Sequence, residues 1–216
     1  MNTITIRQLL PEVFRDEQER HRKGNVWLTE LTFRRGERYM IHAESGAGKS
    51  SLCSFIYGLR KDYRGEILFD GTPCATLSPD RWSELRTRSL AYLPQNLSLF
   101  PELTVMDNIM LKNSMTGYCS ESEIISMLKR AGIDSKRNTP AALLSLGQQQ
   151  RVAIIRAICQ PMDFLILDEP VSHLDEANNM IMAEMIDEAL RKNNTGLITT
   201  SVGNPLIITQ ITPLTL

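Results

Sequence analysis

Short apolar or alternating runs recur along the chain, and longer segments with apolar residues at helical spacing lie between them. Most of the short runs are bounded by Gly, Pro or Asp, which is typical of strands. They predict strands at residues 4–9, 26–33, 38–42, 66–69, 90–93, 164–167 and 196–200. The longer segments predict helices at residues 49–57, 105–112, 121–131, 146–159 and 176–192. Strands that alternate with helices in this way indicate an α/β fold.

Two of the predicted helices begin with clear capping signals. Ser120 and Glu123 form a Ser-x-x-Glu pattern, in which each side chain bonds the backbone N–H of the other residue. Asp175 is a favourable N-cap for the last helix. The interval 76–160 is mostly helical, whereas most strands lie outside it. We therefore predict a single domain over residues 1–216, with a helical subdomain inserted in the α/β core at about residues 76–160.

The composition narrows the class of partners. The chain has 216 residues and a formal net charge of −1, so it can bury a sizeable core and nucleic acid is not an expected partner. Its cysteines are scattered without metal-ligand spacing, as in a reduced cytoplasmic protein. The N-terminus lacks the apolar core of a signal peptide, and no apolar run approaches the roughly 18–20 residues that cross a bilayer. The four cysteines are Cys53, Cys74, Cys119 and Cys159.

The first segment with chemical character is AESGAGKSS at residues 43–51, between a predicted strand and a predicted helix. It matches the phosphate-binding pattern G-x-x-x-x-G-K-[ST] except that Ala43 replaces the first glycine. Such a loop directs backbone N–H groups and a helix N-terminus at phosphate oxygens. The alternative is an ordinary Gly/Ser-rich turn before a helix. The residues predicted to bind nucleotide here are Glu44, Ser45, Gly46, Ala47, Gly48, Lys49, Ser50 and Ser51.

Within this loop Lys49 is predicted to reach the β- and γ-phosphates, and the Ser50 hydroxyl is predicted to ligate Mg²⁺. A second segment, FLILDEPVSHLD at residues 164–175, places Asp168 and Glu169 at the carboxyl end of an apolar strand. Ligand sites of open α/β sheets lie beyond that end. We predict that Asp168 holds Mg²⁺ and that Glu169 orients the attacking water. The alternative is a strand that ends in an acidic turn.

Several ordered segments resemble those of ATP-binding-cassette (ABC) transporter subunits. LSLGQQQRVAIIRAI at 144–158 is similar to the ABC signature, LSGGQ followed by QQR. AYLPQNLSLFPELTVMDNI at 91–109 resembles the Q-loop region, SHLD at 172–175 the D-loop, and FDGT at 69–72 the family's DG turn. The likeness covers roughly residues 26–201. It implies a P-loop NTPase core of mostly parallel sheet, with an N-terminal antiparallel β part and an inserted helical subdomain.

The resemblance also implies roles for residues of these segments. Gln95 occupies the family's glutamine position, with a part in metal binding and catalysis. In ABC dimers the start of the signature helix faces the nucleotide bound on the other subunit, and its positive dipole suits an anion. Gln149, Gln150 and Arg151 would fix this helix within its own subunit. The residues expected to face a partner's ATP are Ser145, Gly147 and Gln148.

Three residues depart from the family pattern. Ala43 replaces the first glycine of the phosphate loop, and Leu146 replaces the first glycine of the signature, where a side chain would crowd two subunits. Ser201 stands where the family has a histidine that contacts the γ-phosphate. A serine can donate a hydrogen bond but carries no charge. His173, within the D-loop segment, either faces the dimer interface or fills a variable surface position.

The aromatic residue that stacks on adenine is left open by the sequence. Phe14 is the first candidate by spacing and Trp27 is the second, and either is equally readable as a core residue. The charged run RDEQERHRKG at residues 15–24 is interpreted as a solvated loop.

Three functions are compatible with these patterns. The leading hypothesis is an ATPase subunit that binds Mg-ATP, dimerises with itself or a paralogous subunit, and powers an integral membrane permease from the cytoplasmic side. The chain ends soon after its last motif, without a regulatory C-terminal domain, which favours export or membrane release. The second hypothesis is a hydrolysis-deficient, nucleotide-gated clamp or the silent half of a heterodimer. The third is a soluble ABC ATPase of repair or translation, which usually carries coiled-coil insertions or tandem cassettes.

Overall fold

The computed structural model describes residues 1–17, 19 and 24–216, and its first sheet is antiparallel. This sheet has the strand order β2-β1-β4-β5, and each neighbouring pair is antiparallel. Ile4 and Ile6 alternate with more exposed residues along β1 and are fully buried, as expected for a sheet that packs on one face. The strands are β1 (Thr3–Pro11), β2 (Glu30–Arg34), β4 (Tyr63–Phe69) and β5 (Thr72–Pro73).

The second sheet is parallel and has the order β6-β7-β8-β3-β9. All residues of its central strands β7 and β8 are buried, which is typical of a parallel sheet covered by helices. The strands are β3 (Arg38–His42), β6 (Leu90–Leu93), β7 (Phe164–Leu167), β8 (Gly196–Ser201) and β9 (Thr212–Thr215). The predicted α/β fold with a separate antiparallel part is confirmed.

The described part of the chain contains six α-helices, and the two predicted caps are confirmed. Ser120 and Glu123 form both hydrogen bonds of a capping box, and the Asp175 carboxylate accepts the backbone N–H of Asn178 at 2.8 Å. The helices are α1 (Lys49–Ile56), α2 (Pro79–Arg88), α3 (Val105–Asn113), α4 (Glu121–Arg130), α5 (Leu146–Ile158) and α6 (Glu176–Asn193). Short 3₁₀ turns lie at Glu12–Glu17, Cys74–Thr76, Asp134–Lys136 and Ala141–Leu143.

Two hydrophobic cores lie on either side of the parallel sheet. One packs α3 to α6 against the sheet, with Ile155 and Leu165 fully buried in it. The other packs α1 and the antiparallel sheet against the opposite face, around Trp27 and Phe55. The interval 76–160, predicted as an inserted subdomain, holds α2 to α5 and also β6, which pairs with β7 in the parallel sheet. Its boundaries stay a prediction.

The strand prediction at residues 26–33 is wrong over its first half. Val26 and Trp27 are fully buried, but the chain turns there, and Leu28 adopts a left-handed φ of 56°. Their apolar character reflects burial in the core and not strand pairing, which begins only at β2. Of the charged run at residues 15–24, residues 18 and 20–23 lie outside the described part.

Candidate ATP-binding site

The phosphate-loop segment connects β3 to α1 at the carboxyl end of the parallel sheet. Gly46 and Gly48 have φ values of 83° and 96°, in the left-handed region that favours glycine. A Cβ at position 48 would also lie 3.0 Å from the rings of Phe14 and Trp27. Position 48 therefore needs glycine both for its backbone conformation and for the close approach of two aromatic rings.

Lys49 is held at the mouth of this loop. Its side chain is 5% exposed, and its Nζ donates to the carbonyl oxygens of Ala43 and Glu44 at 2.9 and 2.8 Å. The same Nζ lies 3.8 Å from Oε1 of Glu169. The backbone carbonyl of Ala43 thus helps to fix the Lys49 side chain. The ammonium group lies within the loop and faces the carboxylate of Glu169.

Three predicted residues from separate motifs form a connected polar cluster with Lys49. Gln95 Nε2 donates to Glu169 Oε2 at 3.2 Å, and Ser50 Oγ donates to Gln95 Oε1 at 3.5 Å. Glu169 itself has a φ of 51°, an uncommon conformation for a residue with a side chain, and such strain is often found at functional sites. The chain therefore brings the phosphate loop, the Q-loop glutamine and the acidic strand end together.

Asp168 lies beneath this cluster and is anchored by a residue that the motifs did not single out. Its carboxylate is 1% exposed and accepts the hydroxyl of Thr200 at 2.8 Å. The Thr200 Oγ1 also accepts the backbone N–H of Glu169 at 3.0 Å, so one hydroxyl positions both acidic residues. The sequence signal that could have indicated Thr200 was its place as a polar residue in a predicted core strand, next to Ser201.

The donor atoms in this region fit a magnesium ion. Mg²⁺ prefers oxygen ligands and usually keeps several waters, with one or two carboxylates and substrate phosphates. Ser50, Gln95 and Asp168 offer a hydroxyl, an amide and a carboxylate oxygen along the same edge. Among the described residues no group of three His, Cys, Asp or Glu side chains is placed to hold a metal.

The signature segment forms the start of α5. Ser145 is its N-cap and forms a capping box with Gln148. The Ser145 hydroxyl oxygen accepts the backbone N–H of Gln148 at 3.4 Å, and the Ser145 backbone N–H donates to Gln148 Oε1 at 3.0 Å. Gln148 Oε1 also accepts from Lys136 Nζ at 3.2 Å. In the monomer, therefore, the Gln148 side chain is engaged in capping its own helix, while Ser145 and Leu146 are exposed.

The glutamine that follows two residues later fastens α5 to the loop after β7. Gln150 is 1% exposed, and its amide nitrogen donates to the Glu169 carbonyl and the Ser172 hydroxyl, both at 3.2 Å. Its amide oxygen accepts the backbone N–H of His173 at 3.0 Å. Gln150 thus links the signature helix directly to the backbone of Glu169.

Gln149 and Arg151 also bond within the subunit. Gln149 Nε2 donates to the Leu144 carbonyl at 3.1 Å, and Arg151 donates to the Ala131 carbonyl and, at 3.0 Å, to Asn178 Oδ1. The His173 imidazole shares a 2.9 Å hydrogen bond with the Ser172 hydroxyl. The polar block at residues 148–151, which interrupts the apolar pattern of α5, therefore forms hydrogen bonds within its own subunit.

The two aromatic candidates for adenine stacking occupy different environments. Trp27 is fully buried, and its indole N–H donates to the Ala47 carbonyl at 3.2 Å, so it supports the phosphate loop from the core side. Phe14 is half-buried on the 3₁₀ turn Glu12–Glu17 and packs beside Gly48. Of the two rings near the loop, Trp27 is buried and Phe14 is partly exposed.

Ser201 ends β8 in register with His42, the last residue before the phosphate loop. It lies at the expected edge of the sheet, next to Thr200, and its side chain is 3% exposed. Ser51 lies on α1 and accepts from Arg60 Nη1 at 2.9 Å. Glu44, Ser45 and Ala47 lie in the loop itself, with Glu44 and Ser45 exposed.

Comparison with known proteins identifies the family. Residues 28–172 match the family model described as ABC transporter. The chain is 33% identical over 174 residues to the lipoprotein-releasing system ATP-binding protein LolD of Buchnera aphidicola, which covers 79% of this chain and 76% of that protein. It is 34% identical over 164 residues to the molybdate/tungstate import ATP-binding protein WtpC of Pyrococcus horikoshii, covering 73% of this chain and 46% of that protein.

The chain belongs to the ABC transporter family. As a nucleotide-binding subunit of that family it is an ATPase, so the predicted enzyme class is confirmed. Its fold is similar to the dimeric structure of MJ0796, a bacterial ABC transporter cassette, with a TM-score of 0.79, 22% identity and coverage of 98% and 94% of the two chains. Within the part of this ABC subunit that the structure describes, every helix is too short or too polar to cross a membrane.

Proposed function

We propose that this ABC ATPase hydrolyses Mg-ATP between two subunits and powers a separate membrane permease, to which it is bound at the cytoplasmic face. The observation that carries the proposal is a cluster at one sheet edge that joins three motifs through two hydrogen bonds and one ion pair. Its members are Lys49, Ser50, Gln95 and Glu169. The neighbouring Asp168 and Thr200 complete the polar edge.

In this proposal the loop from Glu44 to Ser51 binds the phosphates through its N–H groups and the N-terminus of α1. The carbonyls of Ala43 and Glu44 hold the Lys49 ammonium beside the phosphates. Ser50, Gln95 and Asp168 would hold Mg²⁺, and the ion would supply positive charge to neutralise the phosphates. Phe14 stacks on adenine.

Glu169 is proposed to orient the water that attacks the γ-phosphate. Its backbone is fixed by Thr200 and Gln150, and its carboxylate is held by Gln95 on one side and faces Lys49 on the other. A carboxylate positioned in this way can accept a proton from water, which is general-base catalysis. Gln95 is a positioning residue in the same step.

The composite site is proposed to need two subunits, the second being another copy or a paralogous chain. Ser145, Gly147 and Gln148 lie at an exposed helix N-terminus, which presents N–H groups and the positive end of the dipole. They would contact the γ-phosphate of the ATP that the partner holds. Ser201 would contact the γ-phosphate of the ATP bound to its own subunit. A Cβ at Gly147 would lie 3.0 Å from the His173 carbonyl, so this glycine lets α5 approach the D-loop.

Export or membrane release is the proposed direction of transport. The similarity to LolD supports release, whereas the similarity to the import subunit WtpC shows that the ATPase alone does not fix the direction. Gene-by-gene deletion of candidate permeases, followed by purification of this chain from membranes, tests which permease binds it. The proposal requires that loss of one permease removes the chain from the membrane fraction.

Dimerisation is tested by sizing the Glu169→Gln variant by gel filtration with light scattering in Mg-ATP and in Mg-ADP. We expect a dimer in ATP only, because the variant keeps the phosphate contacts but loses the carboxylate that activates water. The matched control is Glu169→Gln with Lys49→Ala, which should remain monomeric in both nucleotides. A monomeric Glu169→Gln variant at saturating ATP would contradict the proposal.

A second candidate function is a nucleotide-gated clamp or the silent half of a heterodimer. Leu146, which is 48% exposed at the surface expected to meet a partner, and the uncharged Ser201 favour it. For this function we expect ATP-dependent dimerisation of the wild-type chain without turnover. If Ser201→His or Leu146→Gly then restores turnover, the position that limits hydrolysis is identified.

A further inference from the structure

Two of the four cysteines, Cys119 and Cys159, are in direct contact although they are far apart in the sequence. Their thiols share a hydrogen bond, and both cysteines are free. Cys159 is fully buried in the core that packs α3 to α6 against the parallel sheet, and Cys119 is half-buried and packs against the same core. The fold therefore places a partly accessible thiol beside a buried one.

Hydrogen bonds fix the backbone at both cysteines. Cys119 lies between α3 and α4, where its N–H donates to Asn113 Oδ1 and its carbonyl accepts from Asn113 Nδ2, both at 2.8 Å. Asn113 is itself 4% exposed. Cys159 ends α5, and its N–H donates to the Ile155 carbonyl at 3.1 Å. The contact between the two sulfurs thus joins two anchored positions.

Cys119 also lines a cavity of about 140 Å³ between α4, α5 and α6. A cavity of this size admits a molecule as small as hydrogen peroxide, since a water molecule takes up about 30 Å³ in the liquid. Arg130 and Glu188 line the cavity too and pair with each other, so their charges are balanced. A small uncharged oxidant can therefore approach Cys119 here.

The surroundings of the two thiols favour ionisation of Cys119 over that of Cys159. The hydrogen bond from Cys159 lowers the pKa of the Cys119 thiol; burial and the Glu123 carboxylate oppose this change, and Lys192 adds to it. The same hydrogen bond and burial raise the pKa of Cys159. Because the thiolate is the nucleophilic form of cysteine, Cys119 is the thiol that reacts first.

We infer that Cys119 and Cys159 form a reversible oxidation site, at which hydrogen peroxide oxidises Cys119 and Cys159 then closes a disulfide with it. The inference is independent of the proposed function, since it involves neither nucleotide nor partner. The bond would join the segment between α3 and α4 to the end of α5, the helix that carries the signature segment. Cys53 and Cys74 are buried, and burial raises the pKa of both thiols, so they are not expected to react.

The oxidation takes place in two balanced steps. The Cys119 thiolate attacks one peroxide oxygen, so that an S–O bond forms and the O–O bond breaks. The sulfur is oxidised to a sulfenic acid, and the hydroxide that leaves takes up the proton released by Cys119 to give water. The Cys159 sulfur then attacks the Cys119 sulfur: the S–S bond forms, the S–O bond breaks, and the hydroxyl group leaves with the Cys159 proton as a second water. The sulfenic acid is uncharged, so Cys159 no longer faces a thiolate in this step.

The first test treats the purified, reduced full chain with hydrogen peroxide, alkylates the remaining thiols and maps the unreduced peptides by mass spectrometry. We expect a linked pair of peptides that joins Cys119 to Cys159, with the loss of two hydrogens, and its disappearance after dithiothreitol. Cys119 should be lost at least about tenfold faster than Cys53 and Cys74. Equal loss of all four thiols, the absence of the linked pair, or a bond between two chains would overturn the inference.

The second test separates the roles of the two cysteines. In Cys159→Ala no neighbouring thiol closes the bond, so Cys119 should stop at the sulfenic acid and be trapped by dimedone, a reagent for that acid. We expect the yield of the Cys119 adduct to rise by at least about tenfold over the wild type, in which the disulfide consumes the acid. An equal yield in the two proteins would contradict the role of Cys159.

Two further variants serve as controls. Cys74→Ala removes a buried thiol that hydrogen-bonds the Tyr63 hydroxyl, and it should form the Cys119–Cys159 bond as the wild type does. Cys119→Ala changes the half-buried position and should give no dimedone adduct at Cys159; such an adduct would show that peroxide reaches the buried thiol directly and would overturn the order of the steps. Circular dichroism checks that each variant is folded. If Cys159→Ala does not fold, the wild-type peptide map and Cys119→Ala still decide.

Discussion

Adjacent residues on β8, Thr199 and Thr200, have similar burial and very different surroundings. Thr200 bonds the Asp168 carboxylate and the Glu169 N–H, whereas the Thr199 hydroxyl has no hydrogen-bond partner among the described residues. A buried hydroxyl that bonds a charged group stabilises the fold, and an unpaired one costs free energy. Two adjacent threonines therefore provide a matched pair of substitutions.

We predict that Thr200→Val lowers the free energy of unfolding by about 1–3 kcal/mol and reduces ATP turnover, because it leaves a buried carboxylate and an N–H without a partner. Thr199→Val should be neutral or stabilising, since the lost hydroxyl bonds nothing. Urea denaturation measures the first quantity and steady-state hydrolysis the second. Equal destabilisation by the two substitutions would show that the Thr200 hydroxyl has no special role.

Phe14 is predicted to stack on adenine, and Phe14→Ala should then weaken ATP binding by about 5- to 150-fold, since stacking of a base on an aromatic ring contributes about 1–3 kcal/mol. Isothermal titration with ATP measures the affinity. Val13→Ala, an exposed neighbour on the same turn, is the control and should leave the affinity unchanged. If Phe14→Ala binds ATP as tightly as wild type, another residue contacts the base.

Much of the candidate site follows from the sequence at the level of single residues. Lys49, Ser50, Gln95 and Glu169 were all singled out by motifs, and the fold brings them together. Thr200 was not, because a threonine in a buried strand satisfies the strand pattern without signalling which polar group it bonds. The burial of Trp27 was equally hidden, since its distance from the loop in sequence says nothing of its orientation.

At the scale of secondary-structure elements, α5 shows why an apolar helix carries a polar block. Gln149 makes one side-chain hydrogen bond to the backbone at the start of its own helix, whereas Gln150 makes three hydrogen bonds to the loop after β7. The two glutamines therefore differ in what they connect.

We expect Gln150→Leu to destabilise the protein by about 1–3 kcal/mol, because it leaves buried backbone groups of the β7 loop without partners. Turnover should fall as well, since the Glu169 backbone loses an anchor. Gln149→Leu serves as the control, with a smaller cost of about 0.5–1.5 kcal/mol for a single half-buried hydrogen bond. Thermal unfolding compares the two, and a larger loss for Gln149→Leu would refute the assignment of Gln150.

The sequence patterns did not predict α2 or β9, and each omission has a physical reason. Helix α2 buries only Trp82 and Leu85, so its ten residues show too little apolar periodicity, although Ser78 and Pro79 are a typical N-cap and first helical residue. Strand β9 has one buried residue, Leu214, and exists as an edge strand because it pairs with β3. Pairing between distant segments is not encoded in a local window.

At the scale of the whole molecule, the parallel sheet carries the site and the helices connect it to two surfaces. One is the exposed start of α5, where a second subunit is proposed to meet the nucleotide. The other is a groove beside α3, which Gln95 lines. Gln95 bonds the Glu169 carboxylate and Gln150 bonds the Glu169 backbone carbonyl, so residues beside both surfaces contact Glu169.

The central claim is that Glu169 activates water in a working ATPase. The most direct measurement is steady-state ATP turnover with Mg²⁺, comparing the wild type with Glu169→Gln at equal ATP occupancy. We predict measurable turnover by the wild type and a loss of at least about 100-fold in the variant, the contribution typical of general-base catalysis. Turnover that is unchanged in Glu169→Gln would contradict the account.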